Sequence, residues 1–200
     1  MSKILNLYAG IGGNRRLWGN SSCHNITAVE HDPNIAKIYQ DNFPEDEVII
    51  DDAHDYLLNY FNEFDFIWSS PPCQTHSSFR QNICVRYHGT NAVYPDMKLY
   101  QEIIFLQYNF KGKYVVENVK PYYLPLISPD TILQRHFFWN NFIIHKKDFK
   151  SDLIRTSQIK DLEKMHGYDL SGYKLKNKRQ VLRNCVSPEL GKYILEEAKL

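Results

Sequence analysis

The strongest constraint on the fold is an alternation. Short apolar runs of strand length recur along the chain, separated by stretches whose apolar residues are spaced for a helix. Residues 3–8, 25–30, 47–50, 64–68 and 113–119 read as strands. Residues 33–42, 53–62 and 97–110 read as helices. Asp32-Pro33 marks one helix start, because Asp accepts from freed backbone N–H groups and Pro fits the first turn. Leu99, Ile103, Leu106 and Phe110 are spaced for one buried face. Strands alternating with helices close into a parallel sheet covered on both faces. The fold expected is therefore α/β, with a doubly wound, mostly parallel sheet. A short helix through Trp18, an aromatic strand over 136–144 and a closing helix over 188–199 complete the expectation. Residues 75–95 read as a mobile loop, and 145–180 as basic and weakly patterned.

The chemistry sits where these strands end. The first strand opens into Tyr8-Ala9-Gly10-Ile11-Gly12-Gly13. Glycine permits positive φ and close approach of the backbone to a ligand. The full GxGxxG pattern is absent, so the loop alone reads equally as a tight strand-to-helix turn. Glu30 ends the second strand, and an acid about 20 residues beyond such a loop accepts hydrogen bonds from ribose hydroxyls. Asp52 ends the third, where it could accept from an adenine amino group, cap the next helix, or do both. No GKS/T phosphate cradle follows a strand, which disfavours nucleoside triphosphate hydrolysis.

The strand over 64–68 delivers Cys73 onto a rigid Pro71-Pro72 turn, and the strand over 113–119 delivers Glu117. A thiol with an ordinary pKa of about 8.5 is mostly protonated near neutral pH, so a nucleophilic role needs help from Arg135 or a helix N-terminus. A nucleophilic thiol, a proton donor and a nucleotide-type loop together suggest attack on a ring, then group transfer from a cofactor.

Charge and cysteine content narrow the setting. Residues 1–144 carry 11 Lys/Arg against 15 Asp/Glu, whereas residues 145–183 carry 11 against 5. A basic segment beside an acidic body fits a polyanionic partner, although a solvated lysine-rich surface gives the same count. The 4 cysteines, Cys23, Cys73, Cys84 and Cys185, contain no CxxC pair, so no metal site is expected. The N-terminus enters a strand directly, and no apolar run approaches the ~18 residues of a membrane span. The expected setting is a reducing cytoplasm, bacterial or phage-infected, with no membrane partner.

In their order and spelling these motifs resemble the DNA (cytosine-5) methyltransferases. Tyr8-Ala9-Gly10-Ile11-Gly12-Gly13 is similar to the family's first motif, usually Phe-Ala-Gly-x-Gly-Gly. Pro71-Pro72-Cys73-Gln74 is similar to the nucleophile motif, and Glu117-Asn118-Val119 to the Glu-Asn-Val motif. Arg183-Asn184-Cys185-Val186-Ser187-Pro188 resembles the late Gly-Asn-x-Val-x-Pro segment. The resemblance implies a Rossmann-like S-adenosylmethionine-dependent methyltransferase fold. Catalytic residues would be Cys73, Glu117 and Arg135. Tyr8, Gly10, Ile11, Gly12, Gly13, Glu30, His31, Asp52, Pro72, Asn184 and Val186 would hold S-adenosylmethionine, which leaves as S-adenosylhomocysteine. Cys73 would add to C6 of a flipped cytosine while a protonated Glu117 at N3 and Arg135 at O2 take up the charge.

The resemblance also implies double-stranded DNA as partner. Gln74, Thr75, His76 and Ser77 would close over the flipped base, with Arg80, Arg86, Lys146 and Lys147 on phosphates, and Lys150, Arg155, Lys174, Lys176 and Lys178 of the basic stretch could add phosphate affinity. Residues 1–144 would form the catalytic and cofactor-binding core, 145–180 a small basic DNA-recognition segment, and 181–200 a segment packing back on the core. Several spellings depart from the family. Ser70 and Arg183 stand where glycine is usual, and Gln134-Arg135-His136 keeps one of the two arginines of Gln-x-Arg-x-Arg. The recognition region is too short for a large reading surface, as in compact phage or prophage members, so a short target or a specificity-providing partner protein is expected. The same chemistry on RNA, and a decayed homologue that binds without turnover, remain as alternative readings.

Overall fold

The computed structural model describes residues 1–19, 24–149 and 158–200. Cys23, Lys150 and Arg155 lie outside the described residues. Five strands pair in parallel: β1 (Ser2–Leu7), β2 (His24–Val29), β3 (Glu47–Ile49), β4 (Phe66–Ser69) and β5 (Lys113–Val119). Two more, β6 (Thr131–Leu133) and β7 (His136–Asn140), join antiparallel. The sheet order is β3-β2-β1-β4-β5-β7-β6. The expected α/β class and doubly wound, mostly parallel sheet are what the chain forms. Strand order reverses between β1 and β4, and ligands of open α/β sheets bind outside the carboxyl ends of the strands at such a switch point.

Each central strand feeds both faces, because successive side chains point to opposite sides. Leu5, Leu7, Ile67 and Val116 face one way, packing with Leu57 of α2 (Ala53–Tyr60) and with Leu99, Ile103 and Leu106 of α3 (Lys98–Asn109). Ile4, Phe66, Trp68 and Val115 face the other, toward Leu190 and Ile194 of α6 (Pro188–Ala198). Burial on both faces accounts for the near-continuous apolar runs that mark these strands in the sequence. Asp32 caps α1 (Pro33–Asn42) by accepting from Asn34 N, and Ser187 caps α6 by accepting from Leu190 N.

Three segments differ from expectation. The helix expected through Trp18 is one 3-10 turn, Asn14–Leu17, after which Gly19 takes φ +85°. Its Arg15 bonds Asp46 through both Nε (2.8 Å) and Nη2 (3.0 Å) in the interior, which ties the turn down instead of extending it. The loop over 75–95 contains a π-helical turn, Arg80–Val85. The basic stretch also contains helices: α4 (Ile159–His166) and α5 (Lys178–Asn184). Leu162, Tyr168, Leu170 and Leu182 pack with Ile11 and Ile38, so this part rests on α1 and the glycine turn. The boundary expected at residue 180 falls inside α5. Among the described residues no helix is long and apolar enough to cross a membrane.

His166 closes α4 fully buried, with no hydrogen-bond partner at either ring nitrogen among the described residues. Burial, and then the nearby Arg135 charge, push its pKa from 6.5 down to about 4. The folded state therefore binds fewer protons than the unfolded chain between these values. Stability contributed by neutral His166 is fully present above pH 6.5 and is lost as pH falls toward 4. Urea unfolding of wild type should lose about 3 kcal/mol over this window relative to His166→Leu; parallel pH profiles for the two proteins would refute the assignment.

Candidate active site

The glycine turn leaves β1 under tight steric limits. Tyr8, Gly10 and Gly12 take φ +55°, +57° and +86°. A Cβ on Gly12 would stand 2.4 Å from the Phe43 ring and 2.9 Å from Tyr39, and one on Gly13 would stand 2.7 Å from Cys185 Cβ. A Cβ on Gly10 would meet nothing within 4 Å. Gly12 and Gly13 are thus required by packing, and Gly10 stands at the open face. Buried Glu30 is fixed beside them, Oε2 accepting from Gly10 N (3.0 Å) and Oε1 from Asp32 N (3.0 Å).

The Pro71-Pro72-Cys73 loop is braced from several directions. Asn118 Nδ2 donates to Pro71 O at 2.9 Å, so β5 holds the Pro-Pro turn that follows β4. Trp68 Nε1 donates to Ser70 Oγ at 2.8 Å, and the amides of His76 and Ser77 donate to Cys73 O at 3.1 and 3.0 Å. Cys73 is half-buried. Burial, and then the Glu117 charge, push its thiol up to about 11 against the opposing pull of Arg135. Burial alone would raise the Glu117 carboxyl. His136, Ser70 and Arg135 outweigh it and hold the group below the usual carboxylate range. His136 Nδ1 lies 2.5 Å from Glu117 Oε1. The resting Glu117 is therefore held as a carboxylate by a residue the sequence reading left without a role. The antiparallel pairing of β7 on β5, with Val119 opposite His136, brings the two together.

These parts surround one cleft of about 570 Å³. Tyr8, Gly10, Ile11, Gly13, Glu30, His31, Pro72, Cys73, Gln74, Glu117, Arg135, Asn184 and Val186 all line it. So do Lys174 and Lys176, which the sequence reading expected to add phosphate affinity, and Gln180 and Arg183 of α5, which it gave no phosphate role. Arg135 Nη2 donates to Arg183 O at 3.2 Å, which links the two sides of the cleft.

Other expected site residues lie elsewhere. Gly12 packs behind the turn. Asp52 is outside the lining and caps α2, accepting from His54 N at 2.8 Å, with Lys98 Nζ 3.3 Å away. Thr75 Oγ1 accepts from Asp96 N, and Ser77 bridges to Pro121. His76 is buried at 1% exposure, with Nδ1 2.5 Å from the Tyr123 hydroxyl, so it packs inward and does not face a duplex. Arg80 donates to Asn91 O, and Arg86 ends the π-helical turn, exposed. Lys146 and Lys147 follow β7, whose far end delivers Asn141 to Gly112 and Tyr114. That places them at the sheet edge opposite the cleft, where Lys147 Nζ sits 4.5 Å above the Tyr193 ring.

A family model described as C-5 cytosine-specific DNA methylase matches residues 2–124. The chain belongs to that family. The matched range contains the glycine turn, Cys73 and Glu117 of this methylase-family site and stops before Arg135 and His136. The Entamoeba histolytica methyltransferase EhMeth is 14% identical, with 99% of this chain and 98% of that one covered at a TM-score of 0.53, a likeness of fold. A DNA modification methyltransferase encoded within an E. coli prophage is 20% identical over 60% of this chain, with a TM-score of 0.39. A Spodoptera frugiperda DNMT2 variant is 27% identical over 60% of this chain, with a TM-score of 0.42. The chain spans 33% and 36% of the length of these last two. A comparison with curated proteins found no match.

The electrostatics of Cys73 give a direct test within this methylase-family site. Its alkylation by iodoacetamide, followed by peptide mass spectrometry, should rise about tenfold per pH unit from about pH 7 to 10, tracking the thiolate fraction. A plateau above about pH 9, the behaviour of an ordinary thiol, would contradict the burial and charge assigned to the site.

Proposed function

We propose that the protein transfers a methyl group from S-adenosylmethionine to C5 of cytosine in double-stranded DNA, through a covalent Cys73–C6 adduct. The observation that carries the reading is that Cys73, Glu117 and the glycine turn with Glu30 line one cleft. S-adenosylmethionine supplies an electrophilic methyl group when bound. The chain fits that cofactor: Gly10 leaves its cleft side open, and Glu30 Oε2 accepts one backbone bond and keeps a lone pair for a ribose hydroxyl, while Oε1 accepts from Asp32 N with His31 Nδ1 also 3.2 Å away. Gly10, Ile11, Glu30 and Val186 would hold it, with Tyr8 beside it. Asp52, turned to its helix cap, has no part in this reading.

The resting charges suggest how the proton moves. The Cys73 thiol is protonated and Glu117 beside it is ionised. Glu117 takes the thiol proton as sulfur attacks C6, and the same proton then serves N3, where the ring accumulates negative charge. The electron pair of the C5–C6 double bond becomes available at C5, which accepts the methyl group. Loss of the C5 proton to solvent water, return of the N3 proton to Glu117 and departure of the Cys73 thiolate, which takes that proton back, restore the aromatic ring. The Arg135 charge and the His136 contact hold the carboxylate in a partly dry site, where preorganised polar groups act more strongly than in water. The target base must leave the stack to reach Cys73, which costs a few kcal/mol. Gln74 is the loop residue placed to follow it, and Lys174, Lys176 and Arg183 at the rim supply phosphate attraction. That rim is small for reading a sequence, so a short target or a partner protein sets specificity.

Covalent trapping tests this. A mixed-sequence duplex containing 5-fluorocytosine, incubated with protein and S-adenosylmethionine, should give a denaturation-resistant adduct that Cys73→Ser abolishes, because fluorine cannot leave C5. An adduct formed only on structured RNA would replace DNA by RNA in the proposal. No adduct on either, with cofactor bound, would leave a binding protein without turnover.

A further inference from the structure

Three side chains from three elements converge on Glu102 of α3, a charged residue with 1% exposure in a helix face otherwise built of Leu99, Ile103 and Leu106. The Tyr8 hydroxyl donates to Oε1 at 2.5 Å, His54 Nδ1 lies 2.9 Å from the same oxygen, and the Ser69 hydroxyl donates to Oε2 at 2.6 Å. A carboxylate is expensive inside a core unless hydrogen-bonded, so this position is occupied at a cost that an apolar side chain would avoid. The groups it collects are informative. Tyr8 opens the glycine turn, lines the cleft and is held at φ +55°, a conformation that persists in a non-glycine residue only when its surroundings enforce it. Ser69 is the last residue of β4 and leads directly into Ser70-Pro71-Pro72-Cys73. Burial, and then Glu102, push the Tyr8 hydroxyl above the ordinary tyrosine range, so it stays a donor. Packing beside a cofactor would need only the ring of Tyr8; the contact to Glu102 needs its oxygen.

We propose that Glu102 is a positioning residue that ties the cofactor turn, through Tyr8, and the nucleophile strand, through Ser69, to one point on α3. Cofactor affinity and thiol reactivity then depend on two separable hydroxyl contacts to a single carboxylate. The cofactor half of this rests on the reading given under Proposed function; the nucleophile half does not.

The test uses the full chain, with S-adenosylhomocysteine affinity by calorimetry and Cys73 alkylation rate as two readouts, and melting temperature as a control. Tyr8→Phe should weaken S-adenosylhomocysteine about tenfold, the scale of one charge-assisted hydrogen bond, and leave Cys73 alkylation unchanged. Ser69→Ala should change the alkylation rate at least about threefold and leave affinity unchanged, and Glu102→Gln should move both. Both single-hydroxyl variants behaving as wild type would overturn the proposal. So would changes in the two readouts that move together in proportion to the fall in melting temperature, since that marks a merely structural role. If wild type fails to bind S-adenosylhomocysteine, the cofactor reading falls, and the Ser69→Ala alkylation arm still decides the nucleophile half.

Discussion

The parallel pairing of β1 with β4 is the constraint on which the rest of the site depends. Leu7 stands opposite Ser69 in that ladder, so the two strands end level with each other. The glycine turn and the nucleophile turn leave from adjacent points and in the same direction. β5 pairs on the other side of β4, and its Glu117 and Asn118 reach the same edge. Backbone hydrogen bonding thus sets the spacing of glycine turn, thiol and carboxylate before any side chain is considered. The side-chain contacts then refine it, Asn118 at Pro71 and Glu102 at both Tyr8 and Ser69.

A second consequence follows from burial. Cys73 is half-buried beside buried Glu117, where a lone thiolate or a lone carboxylate would be costly. Only one of the two can carry negative charge cheaply, and the groups around them decide which. His136 lies against Glu117 and Arg135 acts on both groups, so the charge settles on the carboxylate and the proton on sulfur. In the proposed reaction, the proton would pass from sulfur to carboxylate once a ring is present to accept sulfur.

What the sequence disclosed, and what it withheld, follows from where the determining contacts lie. The strands buried on both faces were legible because their apolar runs have no other use, and Asp32-Pro33 announced α1 through local capping. Cys73, Glu117 and the glycine turn were legible because each sits at a strand end in a motif with little freedom. β6 is only three residues long, too short to carry a period. α4 and α5 bury few apolar positions, and α4 depends on local devices, Asp161 accepting from Gln158 N at one end and Gly167 at φ +73° at the other. His136 and Glu102 were silent because their roles come from residues 19 and 94 positions away, Glu117 and Tyr8. Such pairings exist only once the sheet is assembled.

The same geometry explains why basic residues that are close in sequence are not equivalent. β7 runs antiparallel to β5, so the chain leaves it at the edge opposite the one where Glu117 stands, carrying Lys146 and Lys147 away from the cleft. There Lys147 lies over aromatic rings of Phe149 and Tyr193, a contact that uses its charge within the protein. The chain returns through α4 and α5, which rest on α1 and the glycine turn, and this return brings Lys174, Lys176 and Arg183 to the rim. A polyanion approaching the thiol therefore meets the segment just before and within α5, not the one just after β7. A count of charge along the chain treats both segments alike; the direction of one strand separates them.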